Sequence, residues 1–161
     1  MQQDIQNNED VARILSNEWF DNGKLLHIAF RLRKGETYIS VNRPAISSYQ
    51  SDVEDFVKNH CDYQFLPDTY RRALLNVGKI RNIKISVGDT SMFADVEVEP
   101  RNAKTLSHAG IFTKFQNKNV KEGQIIKTGV AEKEISADTL LLEIRCLLLK
   151  LCKIEQCNIT K

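Results

Sequence analysis

Three histidines, His27, His60 and His108, are the side chains whose ordinary pKa lies closest to neutrality, so acid–base or metal chemistry would start from them. None stands in an HxH, HExxH or Cys–His spacing, and no metal centre is expected. The most motif-like setting is Ser107-His108-Ala109-Gly110, where a histidine beside small residues at the start of a strand can present its ring to a cleft. His108, with Arg31, Ser40 and Arg43, forms the catalytic set of one expectation: a small transferase or hydrolase directed at a nucleotide or nucleic acid. The alternative for each histidine is structural. His27 lies between Leu26 and Ile28 in an expected strand, and His60 near a helix end would favour the helix dipole. No GxSxG elbow, P-loop or GxGxxG occurs, and the seven glycines are scattered as turn punctuation, so no phosphate-cradling loop and no cofactor are expected. Asp95, Glu97 and Glu99 recur at two-residue spacing, which lines carboxylates on one strand face; a solvated face explains them more simply than a divalent cation does.

Lys plus Arg total 23 and Asp plus Glu total 21, a net +2 that announces neither disorder nor a polyanionic partner. The near-balance hides local segregation. Residues 71–84 carry Arg71, Arg72, Lys79, Arg81 and Lys84 with no acid, residues 24–43 carry five basic side chains against Glu36, and residues 101–127 carry six against Glu122. Sharing one face, these segments would make a basic patch for phosphates, with Tyr38, Phe112 and Phe115 placed to stack bases, so nucleic acid is one expected partner.

The elements that must position these residues fit one domain spanning 1–161. A hydrophobic share of 42 % suits a single core at this length. The expected class is α+β: a mostly antiparallel twisted sheet or partly open barrel of six to eight short strands, with two short helices and one long apolar C-terminal helix. Asn7 or Asn8 is expected to cap a short helix bearing Val11, Ile14 and Leu15 at i, i+3 and i+4. Asn22-Gly23 marks a tight turn, residues 25–32 and 38–42 read as strands, and Ser51-x-x-Glu54 opens a helix over 52–59. Residues 73–81 fit a helix or a strand, with Leu75, Val77 and Gly78 favouring the strand; 83–87, 94–98 and 108–112 read as strands, 114–123 as a surface loop, and 125–130 as an edge strand. Ser136 is expected to cap a helix from Ala137 to Glu155.

That last helix, rich in leucine, reads as apolar on nearly all sides, yet its longest unbroken apolar run is four residues, Cys146 to Leu149, too short to span a membrane. Either the chain's own sheet covers it, or another chain does, in which case Leu141, Arg145, Leu148 and Cys152 form the interface. The leading functional expectation takes the second course: a non-enzymatic cytoplasmic protein-binding or assembly module, acting in a homo-oligomer or larger complex through this helix. The start of the chain lacks the apolar stretch of a secretory signal, so a cytoplasmic location is expected. The cysteines, Cys61, Cys146, Cys152 and Cys157, contain no CxxC and are expected to be reduced and buried.

The stretch from Ala29 to Arg43, with Ser107-His108-Ala109-Gly110, resembles segments of small bacterial proteins without an established activity, and carries no functional residue over. In residue type alone, Arg31, Tyr38, Ser40 and His108 are similar to groups used by ADP-ribosyl-transferring folds. The enzyme and binding-module expectations separate on geometry. An enzyme needs His108 and the polar strand residues to converge in a concave pocket; a binding module needs an exposed apolar patch on the C-terminal helix.

Overall fold

The computed structural model describes residues 4–88, 92–101, 105–128 and 134–160. Its elements run β1 (Asp10–Leu15), β2 (Phe20–Asp21), β3 (Lys24–Leu25), β4 (Tyr38–Asn42), α1 (Tyr49–Asn59), β5 (Gln64–Leu66), β6 (Thr69–Asn76), α2 (Val77–Arg81), β7 (Lys84–Ser86), β8 (Phe93–Pro100), β9 (His108–Phe115), β10 (Lys118–Asn119), β11 (Ile125–Lys127), β12 (Glu134–Ser136), α3 (Ala137–Leu151) and β13 (Lys153–Asn158). The main sheet has the order β13-β6-β1-β4-β9-β8-β7 with antiparallel neighbours, so the protein is α+β with an open sheet rather than a closed barrel.

Side-chain alternation divides this sheet into two faces with different jobs. In β4, Ile39 and Val41 turn toward the main core, while Tyr38, Ser40 and Asn42 turn the other way. The main core gathers Val11, Leu15, Ile39, Val41, Leu75, Val98 and Ile111 beneath Leu140, Leu141, Ile144 and Leu148 of α3. Each of those four α3 side chains contributes about 1.5–3 kcal/mol by leaving water, which seats the helix firmly on the sheet. On the opposite face, Tyr49, Val53 and Val57 of α1 cover a smaller cluster, Ala12, Ile14 and Tyr70. That cover reaches β1 and β6, and leaves the same face of β4 and β9 for polar residues.

Several elements differ from their sequence-based expectation, each for a physical reason. Residues 10–15 form β1, not a helix, because this central strand is buried on both faces; Val11 and Leu15 enter the main core, Ala12 and Ile14 the smaller one. A two-sided strand and an amphipathic helix share the i, i+3, i+4 spacing, so periodicity alone does not separate them. Of residues 25–32 only Leu25 lies in a strand, the short Lys24–Leu25 paired with Phe20–Asp21 across the expected Asn22-Gly23 turn, and His27–Phe30 is a 3-10 turn. β6 stops at Asn76, whose side chain accepts the Lys79 N–H at 3.0 Å and so caps α2. α1 begins at Tyr49, ahead of the expected capping box. β9 runs on to Phe115 and turns through Gln116 and Asn117, both at positive φ, into β10. Residues 129 and 130 of the expected edge strand lie outside the described residues.

The long apolar helix is also corrected. α3 ends at Leu151, and Lys153–Asn158 pair in antiparallel register with residues 69–74 of β6, satisfying the alternate backbone groups along an edge that a longer helix would leave bare. One side of α3 packs on the chain's own sheet, while Leu142 and Glu143 stay exposed. Cys157 thus belongs to β13, and Cys61 is an exposed thiol rather than a buried one; all four cysteines are free. No helix of the described residues is long and apolar enough to cross a membrane.

Candidate functional site

β1 and β4 meet at a single residue pair, Ala12 with Asn42, and part beyond it. Arg13 holds the gap. Its Nη1 donates to the Ser40 carbonyl at 2.8 Å, its Nε donates to the Ala29 carbonyl at 3.0 Å, and its guanidinium lies over the Trp19 ring at 4.8 Å. The side chain thereby satisfies the Ser40 carbonyl, which a continued ladder would have served, and ties the 27–30 turn to it through Ala29. Burial pulls the Arg13 pKa down to about 10, which leaves it cationic at neutral pH. On the α1 side of the sheet the parting widens into a cleft of about 500 Å³ between β4, β9 and α1.

The floor of the cleft is set by strand register. Asn42 faces His108 and Ser40 faces Gly110 across the β4–β9 ladder, so Ser40 and His108 are diagonal neighbours on one face. Ser40 Oγ and His108 Nε2 lie 2.6 Å apart. The Tyr38 ring packs between His108 and Phe112, at 5.9 and 5.2 Å between centroids, and Arg101 lies over it at 4.5 Å. Gly110 is required there, since a Cβ would come within 2.7 Å of the Tyr38 ring. Burial, and then the charge of Arg101, hold His108 below its ordinary pKa of 6.5. A neutral imidazole at pH 7 can take the Ser40 proton through Nε2, which is the geometry of a nucleophile and its base.

A part-buried polar network on the cleft wall anchors the segment that leads into His108. Asp52, in the first turn of α1, accepts from Ser48 Oγ at 2.9 Å, from Ser107 Oγ at 2.7 Å and from the Ser107 N–H at 3.2 Å. Asn42 Nδ2 in turn donates to Ser107 Oγ at 2.9 Å. The helix start is thus tied to the residue preceding His108. At the rim, Phe56 stacks on His60 at 4.4 Å, and Tyr63 meets Phe56 edge-on at 4.7 Å and Trp19 at 5.7 Å. His60 Nδ1 lies 2.8 Å from the Phe56 carbonyl at the end of α1, the helix-end contact expected of it. Arg33 and Glu36 close the remaining side, joined by the Arg33 N–H donating to Glu36 at 3.1 Å.

Of the four catalytic candidates, the fold brings Ser40 and His108 together and sends the two arginines elsewhere. Arg43 is 2 % exposed and donates to both carboxylate oxygens of Glu9, from Nε at 3.2 Å and Nη2 at 3.1 Å, so it is a structural ion. Arg31 lines a separate concavity. Among the interface candidates, Leu141 and Leu148 sit inside the chain's own core, Arg145 pairs with Glu122 at 3.6 Å, and the half-buried Cys152 directs its thiol to the Leu149 carbonyl. The five basic residues of 71–84 do not form one patch. Arg71 lies over Phe20 and Phe65, Arg72 points to the other face of β6 toward Glu155 and Tyr49, Arg81 binds Glu97 and backbone carbonyls, and Lys84 approaches Asp95 at 3.9 Å; Lys79 is exposed on α2.

The acidic face of β8 is correspondingly ion-paired, with Lys114 on Glu99, and no cluster of three metal-ligating side chains occurs among the described residues. Sequence reasoning missed Arg13 and Asp52. The signal for Arg13 was one cation inside the apolar run Val11-Ala12-Arg13-Ile14-Leu15. Comparison with protein-family models, curated proteins and solved structures gives no match.

Proposed function

We propose that the cleft is the reaction site of a small transferase or hydrolase acting on a phosphate ester of the nucleotide class. The observation that carries this reading is the Ser40–His108 pair at 2.6 Å, on the floor of a cavity of about 500 Å³, a size that suits a small-molecule ligand. Arg13 and Arg33 supply cationic groups for phosphate, and Tyr38, Phe56 and Tyr63 supply aromatic surface for a base. In the reaction, His108 Nε2 takes the Ser40 proton as Oγ forms its bond to phosphorus. The leaving alkoxide departs with that proton, and an acceptor alcohol or water then releases the phosphoryl group by the reverse sequence. Asp52 acts through Ser107 as a positioning residue.

The test is a panel of nucleotide phosphate esters assayed with the wild-type chain, Ser40→Ala and His108→Asn. Loss of at least 100-fold in kcat with either variant, with KM nearly unchanged, is the expected result. No turnover of any ester and no covalent adduct on Ser40 by mass spectrometry removes the reading.

Assembly through α3 is a second reading, favoured by the exposure of Leu142 at 41 % on the helix side turned away from the core. Leu148→Asp would test folding instead, because Leu148 is fully buried. Leu142→Asp is the informative change: a mass in solution that halves supports assembly, and a monomer before and after the change excludes it.

A further inference from the structure

The Arg13–Arg33 wall of the cleft has a second side. Beyond it lies another concavity of about 500 Å³, lined by Trp19, Arg31, Lys34 and the same two arginines, with Glu18 the one acid among them and Ile28 and Leu32 its apolar part. Arg31, Arg33 and Lys34 are all exposed; the charge of Arg31 reaches Glu122 and Asp138 without a direct ion pair, and Arg33 and Lys34 have no ion pair with a described residue. The two hollows share more than a wall. Trp19 belongs to the second and Tyr63 to the first, and their rings touch edge to face at 5.7 Å; Phe56 continues the aromatic series at 4.7 Å from Tyr63. Cations therefore line one track and aromatic rings run beside it, past the point where Arg13 lies over Trp19 at 4.8 Å.

Of the three basic segments of the chain, residues 24–43 alone place several unpaired cations around a hollow among the described residues. A mononucleotide has one base and one phosphate end, and is accommodated by the first hollow alone. Two abutting hollows with repeated cations and repeated rings fit a ligand that repeats phosphate and base. Duplex nucleic acid hides its bases in the stack and presents them to no side chain here, whereas a single strand offers both its backbone and the faces of its bases.

We propose that the two hollows are one groove for single-stranded nucleic acid, with successive phosphates on Arg31, Lys34 and Arg33 and successive bases against Trp19 and the Tyr63–Phe56 pair. This rests on the nucleotide reading of the cleft and extends it: the phosphate ester at Ser40 is an internucleotide or terminal linkage of a strand.

Fluorescence anisotropy with eight-residue single strands of RNA and DNA, a duplex of the same sequence, and a mononucleotide separates the two claims. The single strand is expected to bind at least tenfold more tightly than the mononucleotide and the duplex. Replacing Arg31 and Lys34 together by Glu should weaken strand binding tenfold or more and flatten the slope of log affinity against log salt by about 1.4, the value for two lost phosphate contacts on a single strand. The same variant should bind the mononucleotide as the wild-type chain does, since neither residue lines the first hollow. Strand affinity equal to that of the mononucleotide, or unchanged in the double variant, overturns the groove while the cleft reading stands. Absence of binding by strand and mononucleotide alike overturns both. Preference for RNA over DNA, or the reverse, leaves the groove in place and identifies the sugar it accepts.

Discussion

Replacing Arg43 by Met should destabilise the protein by about 3 kcal/mol, and the size of the loss follows from its surroundings. The guanidinium makes two charge-assisted hydrogen bonds to Glu9, with side-chain exposures of 2 % for Arg43 and 12 % for Glu9. At 3.1 Å and an effective dielectric constant near 20, the gross attraction is about 5 kcal/mol, from which desolvation of both ions subtracts. Removing one partner leaves the other charge buried and uncompensated, which costs about 3–5 kcal/mol in fully buried pairs; the residual water contact of Glu9 places this case at the lower end. Against a total stability of about 5–15 kcal/mol, the change lowers Tm by roughly 6–12 °C. Adding Glu9→Gln removes the stranded charge and keeps an acceptor for the Gln6 N–H, so the double variant should recover about 2 kcal/mol.

The pH dependence of that loss has a definite sign. Burial pushes the Glu9 carboxyl up, but the hydrogen bonds from Arg43 and Gln6 and the charges of Arg43 and Arg81 outweigh it, leaving the pKa below 4.5. Its contribution is therefore fully present above about pH 4.5 and fades as the pH falls through the lowered folded-state value. In the Arg43→Met chain burial acts with less opposition, so the deficit against wild type should narrow from pH 7 to pH 4. Urea denaturation at those pH values, followed by circular dichroism, measures both effects. A loss under 1 kcal/mol at pH 7, joined to loss of ligand binding in the cleft, would refute the structural assignment and return Arg43 to the site.

Three further outcomes are expected. Protonation of His108 is disfavoured in the folded state, so stability should decline as pH falls below 6.5, and the His108→Asn chain should lack that component of the slope; an identical slope in both chains removes the depressed pKa as its origin. Gly110→Ala drives a methyl group toward the packed Tyr38 and Phe112 rings and should cost about 1–3 kcal/mol while shifting the His108 ring resonances, which NMR would register. Asn76→Ala removes the cap of α2 and should cost about 1 kcal/mol in denaturation experiments with the cleft resonances unchanged; a loss near zero would show that the short helix is held by Val77 and Ile80 in the core instead.

Much of the local structure was legible from residue order because it is decided over a few neighbours. Tyr38–Asn42 alternates, and forms a strand whose apolar half meets the core; Asn22-Gly23 turns because both residues accept positive φ; Ser136 caps α3 through its own hydroxyl. The likeness of Ser107-His108 to a cleft edge and the choice of Ser40 as its companion also came from residue type. Their 2.6 Å approach did not, because it depends on the Asn42–His108 register between strands 65 residues and more apart in the chain. Sequence also could not assign Arg43 to structure and Arg13 to the site, since residue type is the same in both and only the partner decides: Glu9 in one case, the Ser40 carbonyl in the other.

Residue order by itself therefore determined the α+β class, the Asn22-Gly23 turn and the phase of Tyr38–Asn42, which follow from local backbone preference and the two-residue period of a strand. Tertiary structure decided that residues 10–15 are a doubly covered strand, that the last helix gives way to β13, and that a cleft opens where β1 and β4 part. Those choices turn on which face finds a covering layer and which backbone edge finds a partner, and neither is a property of the segment alone.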